Sequence, residues 1–193
     1  MEQSVWSKTI SLKEQQKVLK RIFVFAMPYK KGFITSIIFG IGLAIADVVT
    51  PRIIQIFLDD YVASGNVTLN IGIRFALLYM LAIVFQMITM YFQNYLFSMA
   101  AEKSVENIRN RLFRKVNALG MRYFDQTPAG SVVSRVTNDT ETIKEFWNVF
   151  LALIEGILSI VTVFVAMWVL DKQITLIFLW FLPVMLFMVW FYQ

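Results

Sequence analysis

The chain has 193 residues, 58% of them hydrophobic, 16% aromatic and only 16% charged, with a formal net charge of +5. A soluble globular domain carries about 25% charged residues, so a mean hydropathy of +0.64 excludes that class and indicates an all-α, polytopic membrane helical bundle. The absence of cysteine and histidine excludes disulfides, thiolate metal sites and the usual general base and metal ligand.

The excess charge sits at the start. Residues 1–31 hold seven Lys/Arg against Glu2 and Glu14. Basic residues beside an apolar run are a membrane-surface pattern and not a nucleic-acid one. No continuous apolar stretch with a small-residue cleavage site marks a secretory signal. Leu19, Ile22, Phe23 and Ala26 share one helical face, with Lys17, Lys20, Arg21, Lys30 and Lys31 around them. Residues 1–31 therefore read as a cytoplasmic tail and an interfacial amphipathic helix rather than a solvated basic tail, joined to a spanning helix by a bend at Pro28.

Residues 32–193 are expected to form part of a transmembrane domain with four spans. About 20 helical residues cross a bilayer. The runs at about 32–57, 71–99, 147–170 and 174–193 meet that length. The last run reaches Gln193 with no polar flank, as expected of a chain cut within a longer protein. The first span contains Asp47 and Pro51. Pro51 frees the carbonyl of Asp47, and with Arg52 nearby this favours a kink near the outer surface over a functional site. The second span carries Phe85, Gln86, Tyr91, Phe92, Gln93, Asn94 and Tyr95, a mixture that suits either an apolar ligand or membrane packing.

The third span has Glu155 as its only charge. Asn148, Ala152, Glu155, Ser159, Thr162 and Ala166 recur at helical spacing and make one small, polar face. Two readings remain open for Glu155: a packing residue bonded to a neighbouring helix, or a carboxylate lining a watery cavity. The substrate-cavity candidates are Glu155, Ser159, Thr162, Gln86, Phe92 and Asn94.

Between the second and third spans, residues 100–146 are polar and charge-laced. Val105, Ile108, Leu112, Val116 and Leu119 put one apolar stripe on a charged helix. With no Gly or Pro before Gly120, the second span is expected to continue as a helix far beyond the bilayer. The chain then turns at Thr127-Pro128-Ala129-Gly130, where Gly130 permits a positive φ. This connection holds eight Lys/Arg, whereas the segment from Asp59 to Asn70 holds none. The N-terminus and the long connection are therefore expected to be cytoplasmic, and the short loops outside.

The Arg111-Leu-Phe-Arg-Lys stretch, then Tyr123-Phe124-Asp125, Gly130, Ser134-Arg135-Val136 and Asn138-Asp139 resemble the first intracellular loop of ATP-binding cassette exporters. Pro51 to Val62 is similar to the end of that family's first span and its acidic outer loop. The resemblance implies a half-transporter whose full membrane domain has six spans. It implies a partner nucleotide-binding domain, docked at Tyr123, Phe124, Asp125, Thr127, Gly130, Arg135 and Asp139. It also implies a second half-transporter, identical or not, in the lipid bilayer of the cell membrane. Export would be ATP-driven with Mg2+, of drugs, lipids or peptides, with multidrug export the leading expectation. No Gly-x4-Gly-Lys-Ser/Thr loop surrounds any of the eight glycines, so no phosphate cradle, catalytic residue or ATPase motif is expected in this chain. The alternatives are a secondary transporter or channel using Glu155 and Asp47 as ion sites, and a non-transporting regulatory subunit. The long cytoplasmic extension argues against the first.

Overall fold

The computed structural model describes residues 12–119 and 129–192. Among them there is no strand. Helix α1 spans Leu12–Ala26 and passes through a 3-10 turn, Met27–Tyr29, into α2, Lys30–Ile56. Pro28 accounts for the change of helix type, because it has no N–H to donate. Pro51 sits inside α2, and the helix continues in a π-helical turn, Phe57–Val62. The following loop contains Gly65 at φ +72°, the one positive φ among the described residues. Helix α3, Leu69–Asn117, has 49 residues, and α4, Ala129–Leu170, has 42. Only Asp171 separates α4 from α5, Lys172–Tyr192. Its carboxylate accepts from the N–H groups of Gln173 at 2.7 Å and Ile174 at 3.2 Å. An aspartate cap of this kind satisfies otherwise orphan donors at a helix start, so one residue suffices for the connection.

Three helical stretches among the described residues are long and apolar enough to cross a membrane: Lys13–Val62, Leu69–Asn117 and Gly130–Leu170. Lys172–Phe181 is a shorter apolar stretch. Since about 20 residues span a bilayer, more than half of α3 and about half of α4 lie beyond that need. The expected helical continuation out of the second span is therefore present. It ends in a turn at Ala118 and Leu119. Gly130 departs from expectation: it lies in the first turn of α4 with ordinary helical backbone. The helix starts directly after Pro128 in sequence, and helix starts commonly follow or include a proline.

The chain divides into two compact units. One comprises Met1–Thr35, described from Leu12, with Tyr95–Phe150. Its interior is apolar: Phe97, Ala100, Ala101, Val105, Ile108, Val132 and Trp147 are buried. Trp147 stacks on Phe33 at 4.7 Å between ring centroids and meets Phe23 edge-on at 5.7 Å. Phe23 also packs edge-on against Phe146 and Phe150. The apolar face of α1 is thus partly used inward, through Phe23 and buried Ala26, while Val18, Leu19 and Val24 are exposed.

Gly32 explains how α2 and α3 come together in this unit. A Cβ built there would lie 2.9 Å from the Ala100 Cβ, closer than carbon atoms tolerate. Gly32→Val is therefore expected to lower stability by about 1–3 kcal/mol, because Ala100 has no flexible end to give way. A thermal melt in detergent or nanodiscs reads this. An unchanged melting temperature would mean that the two helices do not depend on that approach.

The other unit comprises Ser36–Asn94 and Leu151–Gln193. Here Ser36, Thr89, Gln93 and Thr175 are buried beside Ala44, Ala46 and Leu151, whereas Leu77, Ile157, Val169 and Trp180 are among many exposed apolar side chains. Lipid tails solvate apolar side chains well and polar ones poorly, so polar groups gather where helices meet.

Candidate functional site

In the unit built from Ser36–Asn94 and Leu151–Gln193, two carboxylates sit on apolar helices, and each is held by a glutamine of α3. The Gln86 amide donates to Asp47 on α2. The Gln93 amide donates to Glu155 on α4 at 2.8 Å. Gln86 and Gln93 are seven residues apart, about two turns at 3.6 residues each, so they share a helix face. Gln93 is only 1% exposed, and its carbonyl oxygen has no partner among the described residues. Gly40 admits this amide: a Cβ there would lie 3.2 Å from the Gln93 nitrogen.

Asp47, Gln93 and Glu155 line a cavity of about 480 Å³ together with Asn94 and Ser159. That volume lies within the range of small-molecule sites, about 300–1,000 Å³. No basic and no aromatic side chain is among its lining residues. Glu155 is thus bonded across helices and also lines the cavity. The Asp47 carboxylate, on the helix that contains Pro51, accepts from Gln86 and lines the same cavity. Arg52 turns instead to Gln55, at 2.7 Å.

The other candidates separate. Thr162 donates to the Leu158 carbonyl and lines a second, mainly apolar groove of about 550 Å³ that also touches Asp47. Phe92 is exposed and stacks on Phe39 at 5.4 Å. Gln86 reaches the cavity through Asp47. Gln93, the most buried polar group of the site, was not among the cavity candidates drawn from the sequence. Its signal was the seven-residue spacing from Gln86, masked by the aromatic residues around it.

In the unit built from Met1–Thr35 and Tyr95–Phe150, the charged ends of α3 and α4 are tied together. Arg109 donates to the Thr140 hydroxyl at 3.1 Å and pairs with Glu141 at 3.1 Å. Lys144 pairs with Glu102 at 3.0 Å. Thr140 is fully buried and itself donates to the Val136 carbonyl at 2.8 Å. Solvent-exposed ion pairs contribute only about 0–1 kcal/mol, so these contacts define register more than they stabilise. Arg111 lies over the Phe25 ring at 5.3 Å, linking α3 to α1. Of the docking candidates, Tyr123, Phe124, Asp125 and Thr127 lie outside the described residues. Gly130 and Arg135 are on α4, and Asp139 is exposed on the same helix.

Residues 33–193 match the family model of the ABC transporter transmembrane region. The chain is 34% identical over 181 residues to a Streptococcus pneumoniae protein named as the ABC transporter ATP-binding protein exp8, covering 93% of this chain and 30% of that protein. It is 28% identical to the multidrug resistance-like ATP-binding protein MdlB of Buchnera aphidicola, over 91% of this chain and 30% of the relative. It is 27% identical to the ATP-dependent lipid A-core flippase 1 of Colwellia psychrerythraea, over 86% of this chain and 27% of the relative. The chain thus spans about 30% of the length of these curated relatives. The match covers the apolar helices, the charged helix pair and the cavity together, and this chain belongs to the ABC transporter transmembrane region family.

Proposed function

We propose that this chain is the membrane-embedded part of an ATP-driven exporter of small amphiphilic molecules, multidrug or lipid-like in class. The observation that carries the reading is the continuity of α3 and α4, whose charged ends are clamped by Arg109, Thr140, Glu141, Lys144 and Glu102. A connection this long and this well tied is more than two spans need, and it suits an arm that meets a nucleotide-binding domain. Residues 1–31 act as the cytoplasmic tail and interfacial helix. Residues 32–193 act as a partial transmembrane domain with four spans in the cell membrane. ATP and Mg2+ belong to the nucleotide-binding domain, and a second half completes the transport pathway. The names of the relatives, multidrug resistance-like protein and lipid A-core flippase, support the exporter reading. Family membership argues against the ion-coupled alternative.

Transmission through the cytoplasmic tip is the core of this reading. In the intact transporter, Phe124→Ala or Asp125→Ala should lower transport at least about threefold while leaving ATP binding near wild type, since an aromatic anchor in a partner's pocket transmits motion and does not touch nucleotide. Paired measurements of vesicle transport and nucleotide affinity decide it. Wild-type transport by both variants at equal expression would remove the coupling role.

Orientation has its own check. Because the chain has no cysteine, single-cysteine labelling is clean. Ser64→Cys and Asn66→Cys are exposed positions expected to react with an impermeant maleimide on intact cells. Asn110→Cys and Asn138→Cys, also exposed, should react only after permeabilisation. The opposite pattern would overturn the charge-based topology. Ser104 is unsuitable, because it is fully buried.

A further inference from the structure

Helix α1 joins α2 through three residues, Met27–Tyr29, so it is tethered where the first span enters the membrane. Val18, Arg21 and Phe25 follow spacings of three and four and lie along one side of it. Phe25 is half-buried, and the Arg111 guanidinium of α3 lies over its ring at 5.3 Å, within the range of a cation–π contact. Arg21 precedes Phe25 by one helical turn on that side, so two guanidinium groups flank one ring. Both arginines are exposed. Arg111 Nε donates to Asn107 Oδ1 at 3.0 Å, which leaves its two terminal nitrogens for a ligand. The ion pairs of this unit, Arg109 with Glu141 and Lys144 with Glu102, involve neither arginine. Glu106 lies five residues before Arg111, about 140° round α3, and Glu14 sits about two turns before Arg21. Exposed Lys17 and Lys115, each four residues from one of the pair, add charge of the same sign.

Arginine offers a planar fork of N–H donors that matches a phosphate. The location selects the source of that phosphate. Gly32, at the start of α2, meets Ala100 of α3, and Arg111 lies eleven residues further along, about 16 Å at about 1.5 Å each. Side chains on a helix lean toward its N-terminus, so Arg111 leans back toward the membrane. Val18, on the same side of α1 as Arg21, is exposed, as are Val24 and Met27. A soluble anion would leave these apolar side chains in water. A lipid covers them with its chains while its headgroup meets the arginines. We propose that Arg21 and Arg111, on either side of Phe25, bind the phosphate of an anionic phospholipid headgroup. Such a site rests on the interfacial placement of α1 and adds to it a preference for headgroup charge.

The test uses the intact transporter in lipid nanodiscs, free of other cysteines, with a bimane fluorophore on Val18→Cys, an exposed position. Phosphatidylglycerol and phosphatidylcholine, each with brominated acyl chains, are titrated separately into unbrominated phosphatidylcholine, and quenching gives their relative affinities. The anionic lipid should be preferred by about tenfold or more, since each basic side chain at a membrane surface contributes about fivefold. Arg21→Gln and Arg111→Gln should each cut that preference about fivefold. Lys13→Gln removes the same charge from α1, eight residues from Arg21, and should change the preference less than about twofold, because exposed charges more than about 10 Å apart are screened. The preference without any of these substitutions is read directly, so it decides the matter even where Arg111→Gln disturbs the Phe25 contact. Equal quenching by the two lipids overturns the inference and leaves the pair to a soluble anionic partner. An effect of Lys13→Gln as large as that of Arg21→Gln also overturns it, because the basic residues then act as a diffuse charge. Failure of the interfacial placement of α1 looks different: neither lipid would quench the fluorophore.

Discussion

Trp147→Ala is expected to lower stability by about 3–5 kcal/mol, the usual cost of removing a buried large aromatic. Trp147 is 1% exposed and lies among Phe23, Phe33, Phe97, Phe146 and Phe150. Edge-on and stacked aromatic pairs add about 0.5–1.5 kcal/mol each beyond area burial, so truncation removes several at once. It also removes one of the three ring contacts that hold α1 through Phe23. Trp147→Phe makes the sharper comparison. The indole N–H is buried without a partner among the described residues, so replacing it by a benzene ring keeps most contacts and removes an unsatisfied donor. Melting temperatures of the two variants should therefore differ widely, with Trp147→Phe close to wild type. A phenylalanine variant as damaged as the alanine one would mean that the indole nitrogen has a partner, or that the cavity left by the smaller ring dominates. An alanine variant as stable as wild type would show that the cluster does not hold this unit together.

Glu155→Gln should preserve folding yet change transport, by about tenfold for cationic substrates and much less for neutral ones. The reason is geometric. Gln93 donates to Glu155 Oε1, and the amide oxygen of a glutamine at 155 can accept the same bond, so the helix contact survives. What disappears is the negative charge facing the cavity, and hydrogen bonds to charged groups are stronger by roughly 1 kcal/mol than neutral ones. With loss of the longer-range attraction, a tenfold change is expected, equivalent to about 1.4 kcal/mol. Glu155→Leu should behave otherwise. It leaves the Gln93 amide without its acceptor, and a buried polar group so orphaned costs about 1–3 kcal/mol. Transport of one cationic and one neutral substrate, with a melt for each variant, separates the two roles. A Glu155→Gln variant that is destabilised and equally impaired for both substrates would leave Glu155 as a packing residue alone.

Much of the fold was legible because apolar length is a local signal. The long apolar runs and the continuation of the second span into a charged helix each follow from a stretch of neighbouring residues. The N-terminal helix was also readable, from the spacing of Leu19, Ile22, Phe23 and Ala26. Its anchoring was not, because Phe23 meets residues more than a hundred positions away, at Phe146, Trp147 and Phe150. Gly130 was misread for a related reason. A glycine after a proline fits a turn and a first helical turn equally well, and only the backbone distinguishes them.

Composition, spacing along one helix and motif order were enough to give the class of this protein, its family and the location of its intramembrane charges. How those charges are used depended on the packed helices. Asp47, Gln86, Gln93 and Glu155 come from three helices, and which amide faces which carboxylate depends on helix rotation and close approach. Gly40 sets that approach for Gln93, as Gly32 does for α2 and α3 near Ala100. Helix rotation is governed by packing with distant segments, so no local pattern encodes it. The Asp47 carboxylate beside Pro51 therefore gained its partner, Gln86, and its place in the cavity wall only once α3 lay beside it.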